Sequence, residues 1–214
     1  QTDFSQELRA RFTGLEDWRF TVGGYYYKGT TDQIFQRGVG GPPFTGIVTP
    51  LSGQNNTSNT IENVALFGSV EWDLLDNLTL TAEARWAEDE ITVEQRDQVT
   101  GELVQANNAS FDNVTPRFTA VWSLTDDLNL YGNIARGTKP GYFNDSEQCP
   151  DLPPEVDEES AWNYEIGLKG SIWDDRATFA VAGYFLDVED QQLTTVCENP
   201  ATGATSSGIS NVGK

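Results

Sequence analysis

The chain has 214 residues and a formal net charge of −20, from 13 Lys and Arg against 33 Asp and Glu. This acidity excludes a nucleic-acid-binding protein, because phosphate backbones are bound by basic surfaces. There is no histidine, no nucleophile elbow and no phosphate-binding glycine loop, so the sequence predicts neither an enzyme nor a bound cofactor.

Strand signals recur in pairs along the chain, and each pair meets at a short turn. Apolar and polar residues alternate with period two, so that Leu66, Val70 and Trp72 lie on one face of a strand, opposite Glu71 and Asp73. No apolar run approaches the roughly 18 residues of a membrane-spanning helix, so any membrane span must consist of such strands. We predict eight strands in four hairpins, at residues 5–13 with 18–28, 64–73 with 78–88, 114–123 with 128–134, and 162–172 with 177–189.

The connections between the hairpins are long and polar, unlike the turns within them. They comprise residues 29–60, 91–110, 138–160 and 191 onward. Compact soluble domains seldom contain several loops of this length. Alternation of short turns with long loops is typical of an outer-membrane β-barrel. The predicted fold is therefore all-β, a segment of a transmembrane antiparallel β-barrel with short periplasmic turns and long extracellular loops.

Aromatic residues also gather at two levels. Four tryptophans lie next to the short turns, namely Trp18, Trp72, Trp122 and Trp173. A second group lies toward the other ends of the strands, namely Trp86, Tyr25, Tyr26, Tyr27 and Tyr184. Two aromatic girdles are expected where a barrel meets the two membrane interfaces, although aromatic residues also favour strands in general.

Charged residues on the polar faces fix the register. A basic side chain facing lipid at the bilayer midplane costs about 2 to 4 kcal/mol, and a shift by one residue would turn every side chain to the other face. The residues predicted to face the lumen are Glu83, Arg85, Arg117, Glu165 and Lys169.

The long loops contain the only two cysteines, Cys149 and Cys197. In an oxidising extracellular setting they either form a disulfide between loops or remain two free thiols. Two cysteines without histidine supply too few ligands for a zinc site. The carboxylates of the loop at 138–160 either bind calcium, which needs six to eight oxygen ligands, or form a solvated acidic surface. The loop lacks the spacing of an EF-hand, so we predict no metal site.

Several strings of residues resemble one family of membrane proteins. Residues 115–118 (TPRF), 128–131 (LNLY) and 135–144 (ARGTKPGYFN) are followed by 159–170 (ESAWNYEIGLKG) and the strand at 179–191. Residues 5–9 (SQELR) and 23–26 (GGYY) resemble an earlier hairpin. Together these motifs, in the order of the family, resemble the barrel portion of a TonB-dependent outer-membrane receptor.

The resemblance implies a barrel of about 22 strands closed by a plug domain. It implies import of scarce nutrients such as ferric siderophores across the outer membrane of a Gram-negative bacterium, in contact with lipid and lipopolysaccharide. Energy would come from the TonB complex, and the lumen-facing charges would contact the plug. The expected ligand contacts near the loop entrance are Arg136, Lys139, Tyr142 and Asn144.

The chain also departs from the full family pattern. It shows no plug, no TonB-contact segment and no terminal strand ending in an aromatic residue. It lacks methionine and a signal peptide, and residues 208–214 resemble the start of another strand, so we expect a processed or excised piece. Eight strands would leave two exposed edges, and transport would then be a property of the parent protein.

Two other classes share this strand pattern. The first is a passive, porin-like channel, which needs neither a plug nor TonB. The second is a secreted, soluble β-sandwich with acidic, cation-binding loops. A sandwich would bury the apolar face that carries Leu66, Phe118 and Ile166 beneath a second sheet, whereas a barrel would leave it exposed to lipid.

Overall fold

The computed structural model describes residues 1–34, 55–144, 149–200 and 203–213. Within this part of the chain, no helix is long and apolar enough to cross a membrane. The strands are β1 (Thr2–Phe12), β2 (Trp18–Ile34), β3 (Asn55–Leu75), β4 (Leu78–Asp97), β5 (Leu103–Thr125), β6 (Leu128–Lys139), β7 (Tyr142–Phe143), β8 (Glu155–Val156), β9 (Glu159–Ile172), β10 (Ala177–Glu189), β11 (Gln191–Asn199) and β12 (Ala204–Val212). The predicted all-β fold is confirmed.

Eight strands form one antiparallel sheet in the order β1-β2-β3-β4-β5-β6-β9-β10, with β1 and β10 at its edges. The four predicted hairpins are all present. Two of their turns consist of the residue pairs 76–77 and 126–127, each preceded by a register shift at the end of the strand. Such bulges increase the local twist of a hairpin. Two small sheets, β7 with β8 and β11 with β12, lie outside the main sheet.

The register joins apolar residues into rows that cross the whole sheet. One row contains Phe12, Phe20, Val70, Ala82, Phe118, Ile134, Tyr164 and Phe185, each the direct partner of the next. Partners in antiparallel strands share a face. This face is not covered by a second sheet, since Leu66 is 61% exposed and Ile166 is 62% exposed. The β-sandwich alternative is therefore wrong for the described residues.

The aromatic girdles are only partly as predicted. At the short-turn end, Trp18 and Trp72 are direct partners and stack, with ring centroids 4.9 Å apart. Toward the other end, Trp86 lies on the apolar face, as does Tyr26. Three other residues were wrongly expected in this girdle, because they lie on the polar face: Tyr25, Tyr27 and Tyr184. Consecutive residues of a strand face opposite sides of the sheet, so these side chains point away from the face that carries Trp86.

The segment at 91–110 is not a long loop, and this prediction was wrong. It forms the ends of β4 and β5, which are joined by the tight turn at 98–102. The Asp97 carboxylate accepts hydrogen bonds from the N–H groups of Val99 and Thr100, both at 2.8 Å, and Gly101 adopts φ 71°. An aspartate and a glycine at these positions stabilise a turn.

The other long connections also contain strands. Residues 138–160 include β7 and β8, and the segment from residue 191 folds into the β11–β12 hairpin. The loop predicted at 29–60 is shortened at both ends by β2 and β3, and its residues 35–54 lie outside the described residues. The fold is thus an open sheet that carries small hairpins at one end.

Candidate functional site

The polar face of the sheet carries a charge network near the short turns. The Arg19 guanidinium pairs with the Glu71 carboxylate, and its two terminal nitrogens donate to the two oxygens of Asp73 at 2.6 Å. Thr79 Oγ1 also donates to Asp73, at 2.8 Å. Fork-shaped pairing of this kind holds the ends of β2 and β3 in register.

The residues predicted to face the lumen all lie on this polar face. Glu83 and Arg117 are direct partners across β4 and β5, and Arg117 Nη1 lies 3.3 Å from Glu83 Oε2. Glu165 accepts a hydrogen bond of 2.6 Å from the Tyr131 hydroxyl, and Lys169 Nζ lies 5.6 Å from the centre of the same ring. A cation over an aromatic face is attracted by the ring's electrons.

Arg85 has a different environment from Arg117. Its Nη2 donates to Asn63 Oδ1 at 3.0 Å, and its guanidinium lies 5.3 Å from the centre of the Tyr25 ring. Asn63 in turn donates to Asp89 Oδ1 at 2.7 Å. Arg85 is therefore held by an amide and a ring, and its charge is not neutralised by direct contact with a carboxylate among the described residues.

A cavity of about 450 Å³ opens on the polar face, between β1 and β6. Its lining includes five arginines, and we call this feature the arginine basin: Arg9, Arg11, Arg85, Arg117 and Arg136. Arg9 and Arg11 were not among the residues predicted to face the lumen. Their alternate spacing in β1, which places both on the polar face with Thr21 and Gly23, was the signal that would have found them.

Arg136 lies where β6 separates from β5. The pairing of β5 with β6 ends at Arg117 and Ala135. The residue before Arg117 in β5 is Pro116, which has no N–H to donate. Arg136 Nη1 donates to the Val114 carbonyl at 3.2 Å, across the opening. Its side chain thus bridges two strands and also lines the arginine basin.

The other three expected ligand contacts have different surroundings. Asn144 is 3% exposed, and its amide donates to the carbonyls of Pro153 and Ile209 and accepts from the Ile209 N–H, all at 2.8 Å. The side-chain amide of Asn144 is therefore bonded to backbone groups of the protein itself. Lys139 and Tyr142 are exposed at the loop end of the sheet. The structure therefore does not gather the four residues on one open surface.

The hairpins at the loop end are joined to each other. Cys149 and Cys197 form a disulfide that links the segment between β7 and β8 to β11, and both residues are buried. The Gln192 amide donates to the carbonyls of Pro140 and Asp157 at 2.9 Å, and Asn211 donates to Asp157 at 3.0 Å. We call this unit, with β7, β8, β11 and β12, the hairpin cap.

Glu158 lies between β8 and β9, below the hairpin cap. Burial raises the pKa of its carboxyl above the ordinary value, and the Arg136 guanidinium, 3.9 Å away, opposes that rise. Its Oε2 is buried and has no hydrogen-bond partner. A carboxylate oxygen that is buried without a hydrogen-bond partner makes the group costly to ionise.

The acidic loop at 138–160 carries several carboxylates that could serve as metal ligands. Within the ranges described above, no group of three or more His, Cys, Asp or Glu is arranged to hold a metal ion. Asp145 and Glu147 of the loop at 138–160 lie outside those ranges, and calcium binding by the loop stays an alternative to a solvated acidic surface.

Comparisons with known sequences agree with this geometry. The model of the family described as TonB dependent receptor-like, beta-barrel, matches residues 1–214. The pesticin receptor of Yersinia enterocolitica is 28% identical over 136 residues, which are 63% of this chain and 20% of that protein, and the pesticin receptor of Yersinia pestis is 27% identical over the same length. The chain thus spans about a fifth of the length of these relatives.

Solved structures share the fold at low identity. The ferric yersiniabactin uptake receptor FyuA from Yersinia pestis superposes with a TM-score of 0.68 at 19% identity, over 98% of this chain and 30% of that one. The ferric-catecholate import receptor Fiu from Escherichia coli K12 gives 0.65 at 17% identity, over 95% and 32%. The copper transporter OprC gives 0.69 at 14%, over 98% and 33%. The family is one of transport receptors, and with its model matching from end to end this chain belongs to the TonB-dependent receptor β-barrel family.

Proposed function

We propose that this chain is part of the wall of an outer-membrane receptor that takes up a scarce nutrient, with a ferric siderophore as the expected ligand. Uptake is driven by TonB through a plug domain elsewhere in the parent protein. The protein resides in the outer membrane of a Gram-negative bacterium. Its apolar face contacts lipid and lipopolysaccharide, and its polar face lines the lumen.

One observation carries this proposal. The apolar rows cross all eight strands and are exposed, while the opposite face holds the paired charges of Arg19, Glu83 and Arg117. A soluble sheet would cover its apolar face, whereas a membrane barrel turns it to lipid and keeps the charges in the wet lumen. Two structural neighbours, FyuA and Fiu, are described as receptors for ferric chelates, which supports an iron chelate as the ligand.

The loop end of the sheet is the expected site of ligand capture. Lys139 and Tyr142 are exposed there and supply a cation and a phenol. Arg136 is half-buried between strands, and Asn144 is occupied by backbone groups, so we assign these two a structural role around the entrance. The short turns at the opposite end face the periplasm in this orientation.

Growth under iron limitation tests the proposal. The gene of the parent protein is deleted, and growth on a panel of ferric chelates is compared with that of the wild type and of a strain that lacks TonB. The proposed function requires that at least one chelate supports growth only when both the receptor and TonB are present. A solute that enters through the receptor in the absence of TonB would favour the porin-like alternative and contradict the proposal.

A further inference from the structure

Strand β5 loses its partner on one side well before its loop end. It pairs with β4 along almost its whole length, but with β6 only from Arg117 to Thr125. No strand of the described residues pairs with residues 105–116 on the side of β6. The part of β5 from Ala106 to Asp112 is about 24 Å long, and we call it the open edge of β5.

Backbone groups of the open edge point away from β4. The Ser123 N–H donates to the Asn77 carbonyl at 2.8 Å, and the register of β4 with β5 continues without a shift from there to Gln105. In an antiparallel pair, every second residue bonds to the neighbouring strand, and the residues between them turn their N–H and C=O groups to the other side. The Val114 carbonyl follows this rule, since it accepts from Arg136 across the opening. The edge residues whose backbone groups face the open side are therefore Ala106, Asn108, Ser110 and Asp112.

The open edge is exposed and carries none of the usual protection. Its four residues are all exposed, while the residues that alternate with them are at least half-buried. Proteins commonly protect a free strand edge with lysine, proline or a bulge, but residues 105–113 (QANNASFDN) contain no Lys, Arg or Pro, and the register has no shift there. Closure of a barrel does not supply a partner either, because β5 is an inner strand of the sheet. The open edge is therefore a template for an added strand.

Carboxylates beside the open edge select the charge of such a strand. On the face that carries Trp86, Glu88 is the partner of Asp112, and Glu90 is the partner of Ser110. Glu88, Glu90 and Asp112 form no ion pair with a described residue. Neighbouring strands lie about 4.8 Å apart, so lysine or arginine side chains on an added strand can reach these carboxylates. An acidic strand would place like charges together, which is unfavourable.

We propose that the open edge of β5 binds an extended, basic polypeptide segment of another protein, which joins the sheet as an additional strand. The edge lies beyond the outermost strongly apolar row, which contains Trp86 and Val114, so in the proposed orientation the partner approaches from outside the cell. Backbone hydrogen bonds supply affinity, and Lys or Arg at every second position supplies the preference for charge. The inference goes beyond nutrient uptake, because binding at this edge needs neither a chelate nor TonB.

Hydrogen exchange in the full-length parent receptor, resolved to single amides, tests whether the edge is free. The four edge amides should exchange quickly, whereas those of Asn107, Ala109 and Phe111 should exchange slowly because they bond to β4. The probe is a decapeptide of alternating lysine and valine. At about ten times its dissociation constant it should slow exchange of the edge amides about tenfold. If these amides already exchange slowly in the receptor alone, the parent protein or a second copy covers the edge, and the proposal is wrong.

Substitution of Ala106 separates backbone pairing from attraction between charges. Ala106→Pro removes the N–H on the open side and keeps the bonds to β4, because proline is tolerated on a free edge. Binding of the probe, measured by fluorescence anisotropy, should weaken about fivefold or more, since one backbone hydrogen bond is lost. The matched variant Ala106→Ser keeps the N–H and should bind like the wild type, and heat-modifiable migration on gels confirms that each barrel is folded. Equal binding to the two variants would contradict the proposal.

Changes in the probe test the same contact on the unaltered receptor. N-methylation of the lysine backbone amides removes the donors that would face β5, and it should abolish protection of the edge amides. A decapeptide of alternating glutamate and valine should bind about tenfold more weakly at low salt, and the difference should shrink in about 0.5 M salt. If the N-methylated peptide protects the edge equally, or if the basic peptide binds without protecting it, binding does not use the edge and the proposal is overturned.

Discussion

Gly141 occupies a position where neighbouring atoms leave no room for a side chain. A Cβ there would overlap the Phe111 ring and the Val156 carbonyl oxygen, whereas a Cβ on Gly137 would meet nothing within 4 Å. The glycine therefore allows the hairpin cap to approach the inner side of β5. The Val156 carbonyl oxygen belongs to the backbone and cannot move aside as a flexible side chain can. Substitution of Gly141 should therefore disturb this contact.

Substitution of Gly141 should loosen the hairpin cap. We expect Gly141→Ala to lower the local free energy of opening by about 1 to 3 kcal/mol, the usual cost of overpacking, and Gly137→Ala to have little effect. Hydrogen exchange of peptides from β7 and β8 in the full-length receptor measures both. Equal protection in the two variants would contradict the close packing of Gly141 against Phe111 and Val156.

Glu158 should make the region below the cap sensitive to pH. Its pKa is raised in the folded protein by burial, so its contribution to stability is fully present below the unfolded pKa and is lost as pH rises through the folded pKa. We expect hydrogen exchange at residues 155–160 to accelerate across that window, and Glu158→Gln to remove the effect. A variant with an unchanged pH profile would assign the sensitivity to another group.

At the scale of elements, β2 to β5 extend well beyond the apolar band. The outermost strongly apolar row includes Leu66, Trp86 and Val114, and β4 continues past it to Asp97, a length of roughly 35 Å. Beyond that row, the residues of β4 are mostly polar on both faces. In this extension, Lys28 pairs with Glu62 on the same face of the sheet that carries the apolar rows.

The disulfide is the covalent link in the hairpin cap. Cys149 and Cys197 are 48 residues apart in sequence, and a crosslink over that distance removes about 4 kcal/mol of chain entropy from the open form. Cys149→Ser with Cys197→Ser should therefore increase hydrogen exchange in β11 and β12, as should reduction of the wild type. The serine variant serves as the control for the reductant, which should not change it further. Unchanged exchange would mean that Asn144, Gln192 and Asn211 hold the cap alone.

At the scale of the whole molecule, the two faces of the sheet have opposite solvents. Phe118 and Thr119 are neighbours in β5, and they face the apolar and the polar side. The sheet has few fully buried apolar side chains among the described residues. In the proposed barrel, membrane and lumen replace a packed core. The free energy of unfolding then depends on whether each face of the sheet contacts lipid or water.

Charge placed on the two faces should have unequal effects. Phe118→Arg should destabilise the full-length receptor in lipid by about 2 to 4 kcal/mol, whereas Thr119→Arg should cost far less, since it adds a cation to the wet side. Urea unfolding in liposomes, followed by tryptophan fluorescence, measures the difference. Equal destabilisation by both variants would contradict the assignment of the faces.

Much of the main sheet was predictable because lipid and water impose a strict period of two. The alternation around Val70 and Trp72, with Glu71 between them, determined the strand, its face and its hairpin partner. The same rule failed at residues 91–110, where Ile91 and Val93 are followed by polar residues on both faces. In the proposed barrel, this part of the strands lies beyond the lipid, so pairing continues there without a hydrophobic signal.

The sequence by itself determined the fold class, the eight strands of the main sheet and the faces of their charged residues, because local alternation encodes them. Only the tertiary structure decided which distant residues meet. Arg11 of β1 and Arg117 of β5 line one cavity, the arginine basin, and the buried amide of Asn144 bonds to the backbone of Ile209. Such contacts depend on strand order and on the path of the hairpins, which no local sequence pattern encodes. The physical reason is that hydrogen bonds and charges act through space rather than along the chain.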